Sequence, residues 1–187
     1  TFAPLPLDVS WVNAGRVAIA GVAFGLAGAA FASFTHLVSR FATARIGWAP
    51  LRPAVGGAAV VGLALLFGRD YLGLSLPIID AGLSGEPLGI DVVALKILFT
   101  AVTLGFGFPG GEVTPLLVAG AALGAALAAP LGLPVAGLAA IGFVAMFAGA
   151  ANVPLTCTIM AAELFGSGSV VLAAIACTVA YVSSGHR

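Results

Sequence analysis

The sequence predicts an all-α fold: a polytopic membrane helix bundle built from short, broken and tilted helices. Three observations predict it. Apolar residues make up 61% of the 187 positions and charged residues only 7%, against about 25% charged in an ordinary soluble domain. A chain of this length cannot bury so large an apolar fraction in a core of its own, so lipid must cover the remainder. Finally, Gly and Pro cut the apolar runs into pieces mostly shorter than the roughly 20 residues of a perpendicular span. Short, interrupted helices are the pattern of transporters with half-helices around a midplane ion site. The formal net charge is zero, so no nucleic-acid partner is expected. The whole chain, 1–187, reads as a single transmembrane domain without a convincing internal repeat.

The elements follow in order. Residues 1–10 form a Pro-rich lead-in without the basic start or cleavage pattern of a signal peptide. A long helix spans 12–45, with Arg16 near its start and Arg40 and Arg45 at its end. Residues 46–53 form a loop through Gly47, Trp48, Pro50 and Pro53. A second apolar helix covers 54–67. The polar, Gly/Pro-rich stretch 69–87 holds a short helix near 76–82. Helices follow at 91–104, 113–128, 135–149, 154–165 and 170–182. His36, Arg40, Arg45 and Arg52 gather around the first loop, which places that loop on the cytoplasmic side. His36 is expected at the interface. Cys157 and Cys177 lie in apolar helical sequence and read as small packing residues, not a disulfide.

The most informative stretch is Gly105-Phe106-Gly107-Phe108-Pro109-Gly110-Gly111-Glu112-Val113-Thr114-Pro115. Glu112 is the only Asp, Glu, Lys or Arg between Ile97 and Ala162. A lone carboxylate at membrane depth is costly and is a functional candidate by default. The glycines break one helix, and Pro115 suits the first turn of the next. Helix, bare-backbone loop and helix N-terminus together form an anion site. Gly111, Glu112, Val113 and Thr114 are the candidate anion-binding residues, Glu112 is the proton-coupling candidate, and Phe106 and Phe108 are candidates for lining the pore.

Plainer readings stand beside these. Glu112 could serve only to stabilise its own helix N-terminus, Thr114 only to cap it, and the two Phe rings only to fill space. Asn152, ahead of Pro154, reads as an N-cap. Glu163 reads as a solvated helix-end charge, as do Asp70, Asp80, Glu86 and Asp91 in and beside the polar connection. Lys96 reads as a lysine that snorkels to the interface. No enzyme is indicated: His-Glu-x-x-His, G-x-S-x-G and paired aspartates are lacking. No cofactor or metal is expected.

The stretch GFGFPGGEVTPLLVAGAALGAALA, 105–128, resembles the anion-binding helix of the CLC chloride channel and antiporter superfamily. Its GGEVTP resembles the fluoride-exporting branch, often called CLC-F. Chloride-type members carry G-x-F-x-P; here Gly111-Glu112-Val113-Thr114-Pro115 occupies that frame, with Val113 in place of the Phe. Arg69-Asp70-Tyr71-Leu72-Gly73-Leu74, the run from Phe147 through Asn152-Val153-Pro154 to Met160, Glu163-Leu164-Phe165-Gly166 and Ser184-Gly185-His186 extend the resemblance over nearly the whole chain from about Arg16. It is to the second half of an inverted repeat only. The first half, with its gating glutamate, has no counterpart here.

The resemblance implies fluoride export by fluoride/proton antiport, with chloride transport as the rival, and a non-transporting structural half-subunit as a further alternative. It implies a multi-pass protein of the bacterial inner membrane and a homodimer with one pore per subunit. A missing N-terminal half is the expected partner. Helices 156–165 and 170–182, with Ala161, Ala162, Ala173, Ala174 and Ala176, are the expected dimer interface.

Overall fold

The computed structural model describes residues 7–185, so the His186 of the last motif and the first six residues lie outside the described residues. Eight α-helices and one 3₁₀ turn make up the described chain, with no strand among them. Helix α1 runs Trp11–Arg45. It opens where Ser10 Oγ accepts a hydrogen bond from the Asn13 backbone N–H at 3.2 Å, an N-cap. Helices α2 (Leu51–Phe67), α3 (Leu76–Leu83), α4 (Ile90–Gly105), α5 (Val113–Leu131), α6 (Val135–Ala151), α7 (Pro154–Phe165) and α8 (Val170–Ser183) follow, with the 3₁₀ turn Ser167–Ser169 ahead of α8. Only α1 and α5 are both long and apolar enough to cross a bilayer; α2, α6 and α7 are shorter apolar helices.

Two boundaries differ from the expected ones. Helix α2 starts at Leu51, so Arg52 and Pro53 are helical instead of loop. Pro53 is tolerated because a first-turn N–H has no helical partner to lose. Helix α5 runs through Pro130 to Leu131. It ends in a turn that Gly132 makes at φ 61°, with Leu133 N–H donating to Ala128 O at 3.0 Å. That six-to-one bond is the Schellman closure that a left-handed residue permits. Helix α6 ends the same way: Asn152 is left-handed at φ 59°, and Val153 N–H donates to Ala148 O at 3.2 Å. Asn152 therefore closes α6 and does not N-cap α7. Pro154 then opens α7 at its first position, where its lack of an N–H costs nothing.

The centre of the bundle is the α5/α6 pair. Gly120 faces the carbonyl of Gly142, and Gly124 faces the carbonyl of Leu138, so a side chain at either glycine would collide with backbone. The two helices therefore meet backbone to backbone, as small residues allow in lipid. Almost all of α6 is buried, from Gly137 through Met146 and on to Gly149, which is why its sequence is apolar on every side. Helix α1 packs on α8 and α6 through further glycines, Gly25 against Ala180 and Gly28 against Met146, and Gly149 of α6 also meets Ala180 of α8. Arg16 ties the start of α1 to the α5–α6 turn, donating to Gly132 O at 3.2 Å.

Helix α2 is peripheral and buries only Gly56. Leu65 and Leu66 are each 78% exposed, and Ile19, Leu26, Leu37 and Phe41 of α1 are exposed as well. An apolar surface of that extent needs lipid or protein to cover it. Asp70, Asp80, Glu86, Asp91 and Glu163 are exposed, as the sequence led one to expect. Both cysteines are free and fully buried.

Candidate functional site

The site is built where α4 stops and α5 starts. Gly105 ends α4 where Val38 and Ser39 of α1 press against it, leaving no room for a side chain. Gly107, at φ 91°, reverses the chain, and Phe108 N–H donates back to Thr103 O at 3.3 Å. The backbone then passes through Pro109, Gly110 and Gly111, all exposed, to Glu112. Glu112 holds the N-cap position of α5, and its side chain makes no capping hydrogen bond. Its carbonyl accepts the first helical bond, from Leu116 N–H at 3.2 Å. Thr114 is the second residue inside α5, so the cap position belongs to Glu112. The N–H groups of Val113 and Thr114 belong to the first turn and have no carbonyl within the helix to bond.

Glu112 is exposed into two adjoining cavities. One, of about 260 Å³, is lined also by Gly28, Ser33 and His36 of α1, by Asn152 at the α6–α7 break, and by Ser184 beyond α8. The other, of about 320 Å³, is apolar and lined by Phe31, Val113, Leu116 and Phe147 among others. The carboxylate thus stands at the boundary between a polar and an apolar chamber, at a helix end that favours negative charge.

The expected site residues separate around this point. Glu112 and Val113 line the chambers just described. Gly111 faces a different cavity, of about 140 Å³, with Gly110, Pro115, Thr100, Thr103 and Lys96. Thr114 is half-buried behind the helix end and lines neither chamber. Phe106 and Phe108 are half-buried over α2, where Phe106 sits against Gly56, and Phe108 Cζ would lie 3.5 Å from a Cβ on Gly57.

Lys96 corrects the sequence reading. It does not snorkel: it is 2% exposed. Its ammonium donates to Tyr71 O at 3.2 Å, Gly73 O at 2.9 Å and Ser75 Oγ at 2.8 Å, using all three protons. It pins the 71–75 loop against α4 beside the glycine segment. The phenol of Tyr71, in that loop, is raised above its usual value by burial first and then by Asp91 and Asp70, so it remains a neutral donor. Two features escaped the sequence reading. Lys96 is the only lysine in the chain, and the rule that singles out Glu112 applies to it equally. His36, expected at the interface, also shares a chamber with Glu112; nothing local in the sequence joins residues 76 positions apart.

Comparison with known proteins agrees with this fold. A CLC-type fluoride/proton antiporter of known crystal structure matches with a TM-score of 0.91 and 32% identity, over 97% of this chain and 47% of that one. A chloride/fluoride channel protein of Pseudomonas syringae pv. tomato is 46% identical over 177 residues, which is 91% of this chain and 39% of that protein. The chain thus spans less than half the length of either relative. The short-helix bundle, the broken α4–α5 connection and a match over residues 3–185 to the family described as voltage gated chloride channel converge on one assignment: this chain belongs to the voltage-gated chloride channel family of membrane transport proteins.

Proposed function

We propose that this chain is the C-terminal half of a fluoride exporter working by fluoride/proton antiport. The observation that carries the reading is Glu112 at the exposed N-terminus of α5, where two chambers meet. In this reading the first-turn N–H groups replace part of the hydration shell of fluoride, a small ion that needs several strong donors, and the Thr114 hydroxyl, which lines neither chamber here, joins them only in the completed unit. Glu112 alternates between carboxylate and acid. Ionised, it repels fluoride; protonated, it donates a hydrogen bond to it and moves a proton.

The 47% coverage of the antiporter supports a unit completed by a second, inverted half, fused or separate. The path lies between the halves, near the midplane. The exposed faces of α1 and α2 suit such a contact. The bacterial relative supports residence in the bacterial inner membrane. A homodimer is the proposed assembly, through the exposed apolar face of α7 and α8, with Leu155 80% exposed and Ile159 61%. Of the five alanines expected there, Ala161, Ala173 and Ala176 are buried within the chain while Ala162 and Ala174 are half-buried, so in this reading the contact rests on Leu155 and Ile159.

The test is flux in proteoliposomes. The complete unit is expected to export fluoride faster than chloride and to take up protons as it does so. Residues 1–187 alone are expected to show no fluoride flux and to regain it when the complementary half is co-expressed. Equal fluoride and chloride rates would favour the chloride transporter, and flux without proton uptake would favour a channel.

A further inference from the structure

We infer that His36 is the proton relay between Glu112 and the basic end of α1, taking protons from Glu112 and passing them along a polar track on that helix. The inference rests on the antiport reading of Glu112. Its own support is geometric. The chamber at Glu112 shares Ser33 and His36 with a further cavity of about 580 Å³, lined by Leu37, Ser39 and Arg40. The track follows one face of α1, since Gly28, Ala32, His36 and Arg40 recur at intervals of four. It is polar where it needs to be: Ser33, Asn152 and Ser184 line the same chamber. At about 30 Å³ per molecule, a 260 Å³ chamber has room for several waters between the two side chains. His36 is exposed into this space and is the only titratable side chain between Arg16 and Arg40.

Among the described residues, the charged or titratable groups lining the track are Glu112 from α5 and His36 and Arg40 from α1, with uncharged Asn152 and Ser184 from the segments after α6 and α8. Lys96 of α4 lies in a separate cavity. The guanidinium of Arg40 serves as a donor only, and His36 is the only imidazole on the track among the described residues. Imidazole can gain a proton at one nitrogen and lose one from the other. The step balances simply. A proton leaves the Glu112 acid, crosses through cavity water to the neutral imidazole of His36, and is released from the imidazolium to water at the Arg40 end.

The experiment uses the complete transport unit in proteoliposomes, with fluoride efflux and proton uptake recorded together, and two substitutions, His36→Gln and His36→Glu. They are equal in size, and only the second can carry a proton. His36→Gln is expected to cut proton-coupled fluoride efflux on the order of a hundredfold, the low end for a lost proton-transfer group, with fluoride binding by calorimetry unchanged. His36→Glu is expected to restore most of the coupled flux. Equal rates for the two variants, whether fast or slow, would overturn the relay and leave antiport standing. A wild-type unit that moves fluoride without protons would remove the antiport reading and the relay together.

Discussion

The ammonium of Lys96 donates a 2.8 Å hydrogen bond to Ser75 Oγ, 21 residues earlier in the chain. Both side chains are buried, and Ser75 is one of two non-glycine residues with positive φ among those described, at 50°. A left-handed serine is strained and persists only where its surroundings hold it. The lysine supplies that hold, with the carbonyls of Tyr71 and Gly73 as its other acceptors. It thereby fixes the loop that walls one side of the cavity at Gly110 and Gly111.

Lys96→Met is therefore expected to destabilise the protein. It strands two carbonyls and a buried hydroxyl, at a cost of about 1–3 kcal/mol for each group left unsatisfied. The thermal unfolding midpoint in detergent should fall by several degrees. An unchanged midpoint would show that the three acceptors find other partners.

Thr114→Val keeps shape and removes one hydroxyl. If that hydroxyl donates to fluoride, the loss is about 1.5–3 kcal/mol, the range for hydrogen bonds to charged groups, or roughly tenfold or more in fluoride affinity. Calorimetric titration of the complete unit checks this. Expression should hold, because Thr114 lies inside the first turn and is not the cap.

Gly124→Val should abolish folding, whereas Gly62→Val should be well tolerated. A Cβ at Gly124 meets the Leu138 backbone, while a Cβ at Gly62 of α2 meets nothing within 4 Å. Overpacking usually costs about 1–3 kcal/mol, and more where backbone cannot yield. Monodispersity after detergent extraction separates the two outcomes. Equal behaviour would mean that α5 and α6 can move apart.

Cysteines at Leu155 and Ile159 should crosslink two copies, since both positions are exposed on α7. A cysteine at Ala173 should not, because Ala173 is 1% exposed within the chain. Crosslinking from α2 positions instead, such as Leu65, would move the interface to the opposite side.

The helices and the break at 105–112 are legible in the sequence because they are local. Low charge, apolar runs and Gly/Pro punctuation act over a few residues, as do Pro115 and Pro154 at helix starts. Glu112 stands out for the same reason: its isolation can be counted along the chain. The ends of α2 and α5 are less legible, because Pro53 and Pro130 lie in terminal turns where helix is tolerated. Asn152 can cap either helix it joins, and the choice falls to the backbone handedness that α6 needs to close. Tertiary structure alone decides the rest. Lys96 has its acceptors 21 to 25 residues away, so no local pattern could tell a buried clamp from a snorkelling lysine. The small alanines of α7 and α8 suit any close contact, and only the packed bundle spends Ala161, Ala173 and Ala176 inside the chain. His36 shares a chamber with Glu112 because α1 passes the start of α5, a placement set by glycine contacts between α1, α6 and α8. Composition and spacing specify elements, while the company a side chain keeps depends on how those elements cross.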